Sequence, residues 1–138
     1  SAIGGRYIEG DDFHPPANLA KMRAGFSLSD EDRLPWLHAL GEELQTASQK
    51  RESVILGCSA LRESYRRLLQ TFCPQCKIVW LHGSTELVAA RIEGRHWHFM
   101  HANLLSSQFA LLEPPADAIA VSIDHAPEKI VRQILDHL

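Results

Sequence analysis

Nothing in these 138 residues approaches the run of about 18 apolar residues that a membrane-spanning helix needs. The start of the chain also lacks the charged-then-apolar pattern of a secretory signal. Basic residues are massed nowhere. The 14 Lys and Arg stand against 17 Asp and Glu, for a net charge of -3, so the electrostatic footprint of a nucleic-acid binder is missing. Cysteine is scarce and odd in number, at three, which excludes a fully paired disulfide framework and suits reduced thiols in a cytoplasmic setting. Cys73-Pro74-Gln75-Cys76 has C-x-x-C spacing, but a zinc site wants a second pair and only Cys58 remains. A thioredoxin-like motif opens a helix after a strand, whereas this one precedes a strand. Repeats, linkers and low-complexity stretches are lacking too. A soluble chain, with neither nucleic acid nor membrane as partner, is the expectation.

What is present is ample core material, 45% apolar, on the scale of one domain over 1-138. Arg6-Tyr7-Ile8 reads as the end of a strand, and Pro16 to Arg23 as a helix with proline in its first turn. Ser29 is an N-cap candidate ahead of the acids Asp30, Glu31 and Asp32, with Asp30 and Asp32 both read as candidates to serve the cap and Asp30 favoured for it. Leu34, Leu37, Leu40, Leu44 and Ala47 then follow at helical spacing to about Ser48. The runs Ser53 to Cys58 and Lys77 to Leu81 are near-continuous and apolar, as buried parallel strands tend to be. A helix carrying Arg62, Tyr65 and Arg66 separates them. Ser84 caps a helix from Thr85 to near Gly94. A further helix spans about Asn103 to Leu112, Ile119 to Ile123 forms the last strand, and an amphipathic helix closes the chain. Strand and helix alternate throughout, which predicts a three-layer α/β domain with a parallel sheet.

One acidic stretch stands out, Glu9-Gly10-Asp11-Asp12-Phe13-His14-Pro15. Strand side chains repeat every two residues, so Glu9 and Asp11 are expected to face one cleft at the carboxyl edge of the sheet, with His14 a turn further on. Such a group suits holding magnesium and taking a proton from a hydroxyl in phosphoryl transfer. An ordinary solvated turn has the same composition. Trp36 is read as core or pocket wall, and Arg67 as a solvated helix residue.

Four stretches resemble one family in its own order. Gly10-Asp11-Asp12-Phe13-His14-Pro15 with Asn18 and Lys21-Met22 resembles the G-D-x-x-H-P…N…K-M segment of gluconokinases. Leu28-x-Asp30-x-Asp32-Arg33-x-Pro35-Trp36-Leu37 resembles their P-L-x-D-x-D-R-x-P-W-L, and Cys58-Ser59-Ala60-Leu61-Arg62-x-x-Tyr65-Arg66 their C-S-A-L-K-x-x-Y-R. His98-Phe99-Met100, then Leu104-Leu105-x-Ser107-Gln108-Phe109 and Leu112-Glu113-Pro114, resembles their lid and following helix.

The resemblance implies a P-loop kinase fold that moves the γ-phosphoryl of ATP, with Mg2+, to a hydroxyl of D-gluconate. It makes Asp11 the base or orienting carboxylate and places Glu9 near magnesium through water. Anion binding wants guanidinium forks, for which Arg33 and Arg66 are the best placed. His14, Lys21, Arg62 and Gln108 complete the implied substrate pocket. Arg91 and Arg95, in a lid of about 91-101, resemble arginines that close on ATP phosphates, with Arg95 also catalytic. A homodimer is the implied assembly.

Against that family one element is missing. No G-x-x-x-x-G-K-[ST] occurs, and the family carries it, with the strand before it, ahead of the position where this chain begins. The expectation is therefore a fold lacking the first central strand, with the Tyr7 and Val54 strands unlinked from those of Ile78 and Ile119. N-terminal truncation is one expectation. A non-catalytic fragment or pseudo-kinase that keeps only the sugar-acid side is the alternative to an active kinase. Trp97 for a glycine and His101 for a proline depart from the lid pattern, and Arg62 for lysine keeps the charge with a different donor geometry.

Overall fold

The computed structural model describes residues 4-93 and 102-138. Four short strands and six α-helices alternate among the described residues. In order they are β1 (Arg6–Glu9), α1 (Pro16–Arg23), α2 (Asp30–Gln49), β2 (Val54–Gly57), α3 (Glu63–Phe72), β3 (Val79–His82), α4 (Thr85–Glu93), α5 (Ala102–Leu111), β4 (Ile119–Ser122) and α6 (Pro127–Asp136). All strand pairing is parallel, and it forms two two-stranded sheets, β1 with β2 and β3 with β4. These are the two pairs expected when the central strand is lacking. The lid expected over about 91-101 falls largely outside the described residues, and Arg95, Trp97 and His101 fall wholly outside them.

The described chain divides into two compact units, one running to Cys76 and ending with the segment up to Glu113, the other beginning at Lys77 and resuming at Pro114. In the first, β1 pairs β2 with Tyr7 opposite Ile55 and Glu9 opposite Gly57. The core of this unit follows from the spacing in α2. Trp36, Leu37, Leu40 and Leu44 recur on one helical face and close on Tyr65, Leu69 and Cys73. The two helices approach closely because position 41 is glycine: a Cβ there would run into the ring of Phe72. Met22, Leu28 and Leu104 form a smaller cluster that ties α1 and α5 into the same unit.

Helix α2 starts where Ser29 predicts, but the capping partner differs from expectation. Asp32 N donates to Ser29 Oγ at 3.0 Å and Ser29 N donates to Asp32 Oδ2 at 2.9 Å, a reciprocal capping box. Asp30, favoured from sequence for the cap, instead accepts a hydrogen bond from the Tyr65 hydroxyl. The box needs a side chain at the third helical position, and Asp30 is at the first.

In the second unit β3 pairs β4 with Val79 opposite Ile119. Ser84 caps α4 as expected, its Oγ accepting from Leu87 N at 3.1 Å. From the last turn of α4, Arg91 donates through Nη2 to the Ile123 carbonyl at 3.0 Å, beyond the end of β4.

Candidate active site

The acidic stretch does not continue as a strand. Strand β1 ends at Glu9, and Gly10–Phe13 turns as a single 3-10 helix. The alternating-strand relation between Glu9 and Asp11 is therefore corrected to a cap: Glu9 Oε1 accepts from the Asp11 backbone N at 3.3 Å. A carboxylate just ahead of free N–H groups stops the extended run. Glu9 Oε2 accepts from the Tyr7 hydroxyl at 3.0 Å. The turn lies tight against the end of β2, where a Cβ on Gly10 would sit 2.5 Å from the Gly57 carbonyl oxygen. From the other side Trp36, fully buried, donates Nε1–H to the Gly10 carbonyl at 2.7 Å.

This loop presents Asp11 and His14 to one another, with His14 Nε2 3.8 Å from Asp11 Oδ1. His14 is stacked on Trp36, ring centroids 4.3 Å apart and planes 13° from parallel. Burial, with the Arg33 charge next, pushes the His14 imidazole down to about 4. Burial pushes the Asp11 carboxyl the other way, up to about 6, helped by the Glu9 and Asp12 charges. The pair thus inverts the usual order of proton affinity.

A network of polar side chains continues outward. Asn18, also buried, donates from Nδ2 to the Asp32 carbonyl at 2.8 Å and meets His14 Nδ1 at 3.2 Å. Lys21 Nζ pairs with Asp32 Oδ2 at 2.6 Å, and this bond leads the causes that hold the Asp32 carboxyl down at about 2. Arg33 is buried, its Nη1 donating to the Leu28 carbonyl at 2.8 Å and the Tyr65 hydroxyl at 3.1 Å. Its guanidinium carbon lies 5.5 Å from the centroid of the Tyr65 ring. Burial raises the Tyr65 phenol above its ordinary range, and the Asp30 carboxylate that accepts its proton adds to this.

Arg62, the N-cap residue ahead of α3, and Arg66, one turn further on, do different things. Arg66 is buried and braces three carbonyls, Ala60 and Leu61 through Nη1 at 2.7 and 3.1 Å and Glu113 through Nη2 at 2.7 Å. Arg62 is 39% exposed, its Nε 3.8 Å from Asp30 Oδ1 and, among the described residues, without a hydrogen-bond acceptor.

Glu113 did not stand out in the sequence as a site residue, yet its Oε1 accepts from Glu63 N at 2.9 Å and caps α3 from fifty positions away. Gln108 is half-buried on α5 in the same unit and, among the described residues, takes no part in this network. The cysteines are free. Burial pushes the Cys58 thiol up to about 12, leaving it protonated and unreactive.

A parallel α/β arrangement with a carboxylate and a cationic cluster at the carboxyl end of β1 is the layout of a small-molecule kinase, and known proteins make that class specific. No family model matches the chain. The thermosensitive gluconokinase of Escherichia coli K12 is 38% identical over 135 residues, covering 95% of this chain and 72% of that one. A gluconokinase of Arabidopsis thaliana is 39% identical over 150 residues, covering 98% and 79%. The solved structure of a gluconokinase from Sinorhizobium meliloti 1021 superposes with a TM-score of 0.86 at 42% identity, covering 98% of this chain and 77% of that one. The chain belongs to the gluconokinase family, a family of kinases.

Proposed function

We propose that this chain works in ATP-dependent phosphorylation of D-gluconate to 6-phosphogluconate, in the cytoplasm and as a homodimer. The observation that carries the proposal is the placement of the Asp11 carboxylate just beyond the carboxyl end of β1, its Oδ1 3.8 Å from Nε2 of the buried His14 ring. A carboxylate with proton affinity close to neutral pH is matched to accept the proton of an attacking hydroxyl. Asp11 orients that hydroxyl and receives its proton. His14 sits at the same point as a neutral ring.

A sugar acid is an anion. Lys21 and Arg62, both partly exposed, are the cations that meet its carboxylate and hydroxyls. Arg33 contributes its charge from within the core, and Arg66 holds the loop that carries Arg62. Gln108 faces the same ligand in this reading. Glu9, half-buried at the end of β1, is the carboxylate that would hold magnesium, through water, since among the described residues no three His, Cys, Asp or Glu side chains gather for direct ligation. Bound there, magnesium would supply charge that steadies the transferring phosphoryl oxygens. Arg91, and Arg95 outside the described residues, are the side chains for the nucleotide phosphates. The 138 residues contain no backbone cradle of the G-x-x-x-x-G-K-[ST] type. A second reading is a module that binds the sugar acid on the same residues without transferring phosphate.

Gluconate-dependent release of ADP from Mg-ATP, for the unsubstituted chain and Asp11→Asn, tests the proposal. The expected result is turnover in the first and its loss in the second, with both folded. Turnover at the unsubstituted rate in Asp11→Asn removes Asp11 from the mechanism. Gluconate binding with no turnover in either chain selects the binding module.

A further inference from the structure

We propose that Asn18 is a positioning residue, which fixes the ring of His14 in the tautomer that presents an N–H to the Asp11 side of the acceptor site. The inference rests on the reading of Asp11 as the carboxylate that meets the acceptor hydroxyl.

The geometry leaves one hydrogen assignment. Asn18 Nδ2 is 2.8 Å from the backbone carbonyl of Asp32, and a carbonyl only accepts, so the atom there is the amide nitrogen. The same nitrogen is 3.2 Å from His14 Nδ1. Its second N–H points at that ring atom, which must accept, so the ring proton resides on Nε2. Nε2 is the atom 3.8 Å from Asp11 Oδ1. In the other tautomer, two donors would collide at Asn18, and a lone pair would confront the carboxylate.

Neither partner of Asn18 is free to drift. Its residue is 4% exposed. Asp32 is held by the capping box with Ser29 and by Lys21, and the His14 ring is clamped on Trp36. An acceptor hydroxyl between Nε2 and Oδ1 would therefore find one donor and one acceptor in fixed order. It gives its hydrogen to Asp11 and takes an N–H on one lone pair, leaving the other lone pair for attack. Asn18 touches neither substrate nor reacting atom, and it sets the polarity of the group that does.

The test is nitrogen NMR of histidine rings in the full chain labelled with 15N-histidine, with His14 assigned by its disappearance in His14→Gln. The unsubstituted chain is expected to show His14 as a neutral ring protonated on Nε2. A ring protonated on Nδ1 overturns the proposal. Asn18→Asp places an acceptor against Nδ1 and is expected to move the proton to Nδ1, or to charge the ring. It should also weaken gluconate binding, read by calorimetry, roughly tenfold, the scale of one misplaced hydrogen bond. A neutral Nε2–H ring retained in Asn18→Asp overturns the proposal. If Asn18→Asp does not fold, the spectrum of the unsubstituted chain decides alone. Failure of the unsubstituted chain to bind gluconate counts against the functional reading, while the ring spectrum still decides the tautomer assigned to Asn18.

Discussion

His14 and Asp11 face each other at 3.8 Å with their proton affinities reversed, the imidazole at about 4 and the carboxyl at about 6. Between those values a proton entering the site goes to the carboxyl and leaves the ring neutral. Both shifts come first from burial, which disfavours charge on either group.

That relationship makes a prediction about stability and pH. The folded His14 value lies below its ordinary 6.5, so its contribution is complete above 6.5 and is lost as pH falls towards about 4. The folded Asp11 value lies above its ordinary 3.8, so its contribution is present below 3.8 and is lost as pH rises through about 6. Between pH 6 and 4 the two oppose each other. Asp11→Asn removes the second alone. It should be more stable than the unsubstituted chain at pH 7, by about 1–3 kcal/mol, and should lose stability more steeply on acidification. Urea unfolding at pH 7 and pH 5 measures both, and an Asp11→Asn chain no more stable at pH 7 contradicts the assignment.

The Trp36 to Gly10 hydrogen bond links the core to the acidic turn. Trp36→Phe keeps an aromatic surface against His14 and leaves a buried carbonyl unpaired, a cost of about 1–3 kcal/mol. The loss should appear in denaturant unfolding and be accompanied by weaker gluconate binding, since the turn carrying Asp11 is freed. Loss of stability with gluconate affinity unchanged would show that the anchor serves the core only.

Arg62 and Arg66 should separate cleanly. Arg66→Lys cannot span the three carbonyls of Ala60, Leu61 and Glu113, and is expected to cost about 1–3 kcal/mol of stability. Arg62→Ala should leave the unfolding free energy within about 0.5 kcal/mol of the unsubstituted value and weaken gluconate binding at least tenfold. A stability loss in Arg62→Ala as large as that of Arg66→Lys would assign both to the scaffold.

Gly41→Ala offers a check on the packing of α2 against α3. The added methyl meets the Phe72 ring, and overpacking of that kind costs about 1–3 kcal/mol. On an open helix face the same change would stabilise, so a raised melting temperature would show that the contact is looser than described.

Much of this was readable in the sequence because it is local. The apolar spacing of α2, the Ser29 cap and the alternation of strand and helix all depend on neighbours within a few residues, and the structure places them as expected except for Leu34, which opens that spacing and is exposed. The family motifs located the acidic turn. The turn's geometry was not readable, since the 3-10 turn that follows Glu9, capped by that side chain, replaces the alternating strand on which the sequence reading of Glu9 and Asp11 rested. Arg33 and Arg66 carry the side chain an anion site wants, yet their partners are the Leu28, Ala60, Leu61 and Glu113 carbonyls, which no residue type announces. Asn18 was visible as a motif letter and Glu113 as the acid before a proline. Their bonds to His14, Asp32 and Glu63 depend on tertiary contact.

The central claim, that these residues form a gluconate site, is tested most directly by thermal unfolding of the unsubstituted chain across a gluconate series, with Mg-ATP in a separate series. A ligand that binds only the folded state raises the midpoint with the logarithm of its concentration above its dissociation constant. Such a rise is expected with gluconate, and its abolition or strong reduction in Arg62→Ala. A midpoint that stays flat to saturating gluconate would contradict the central claim.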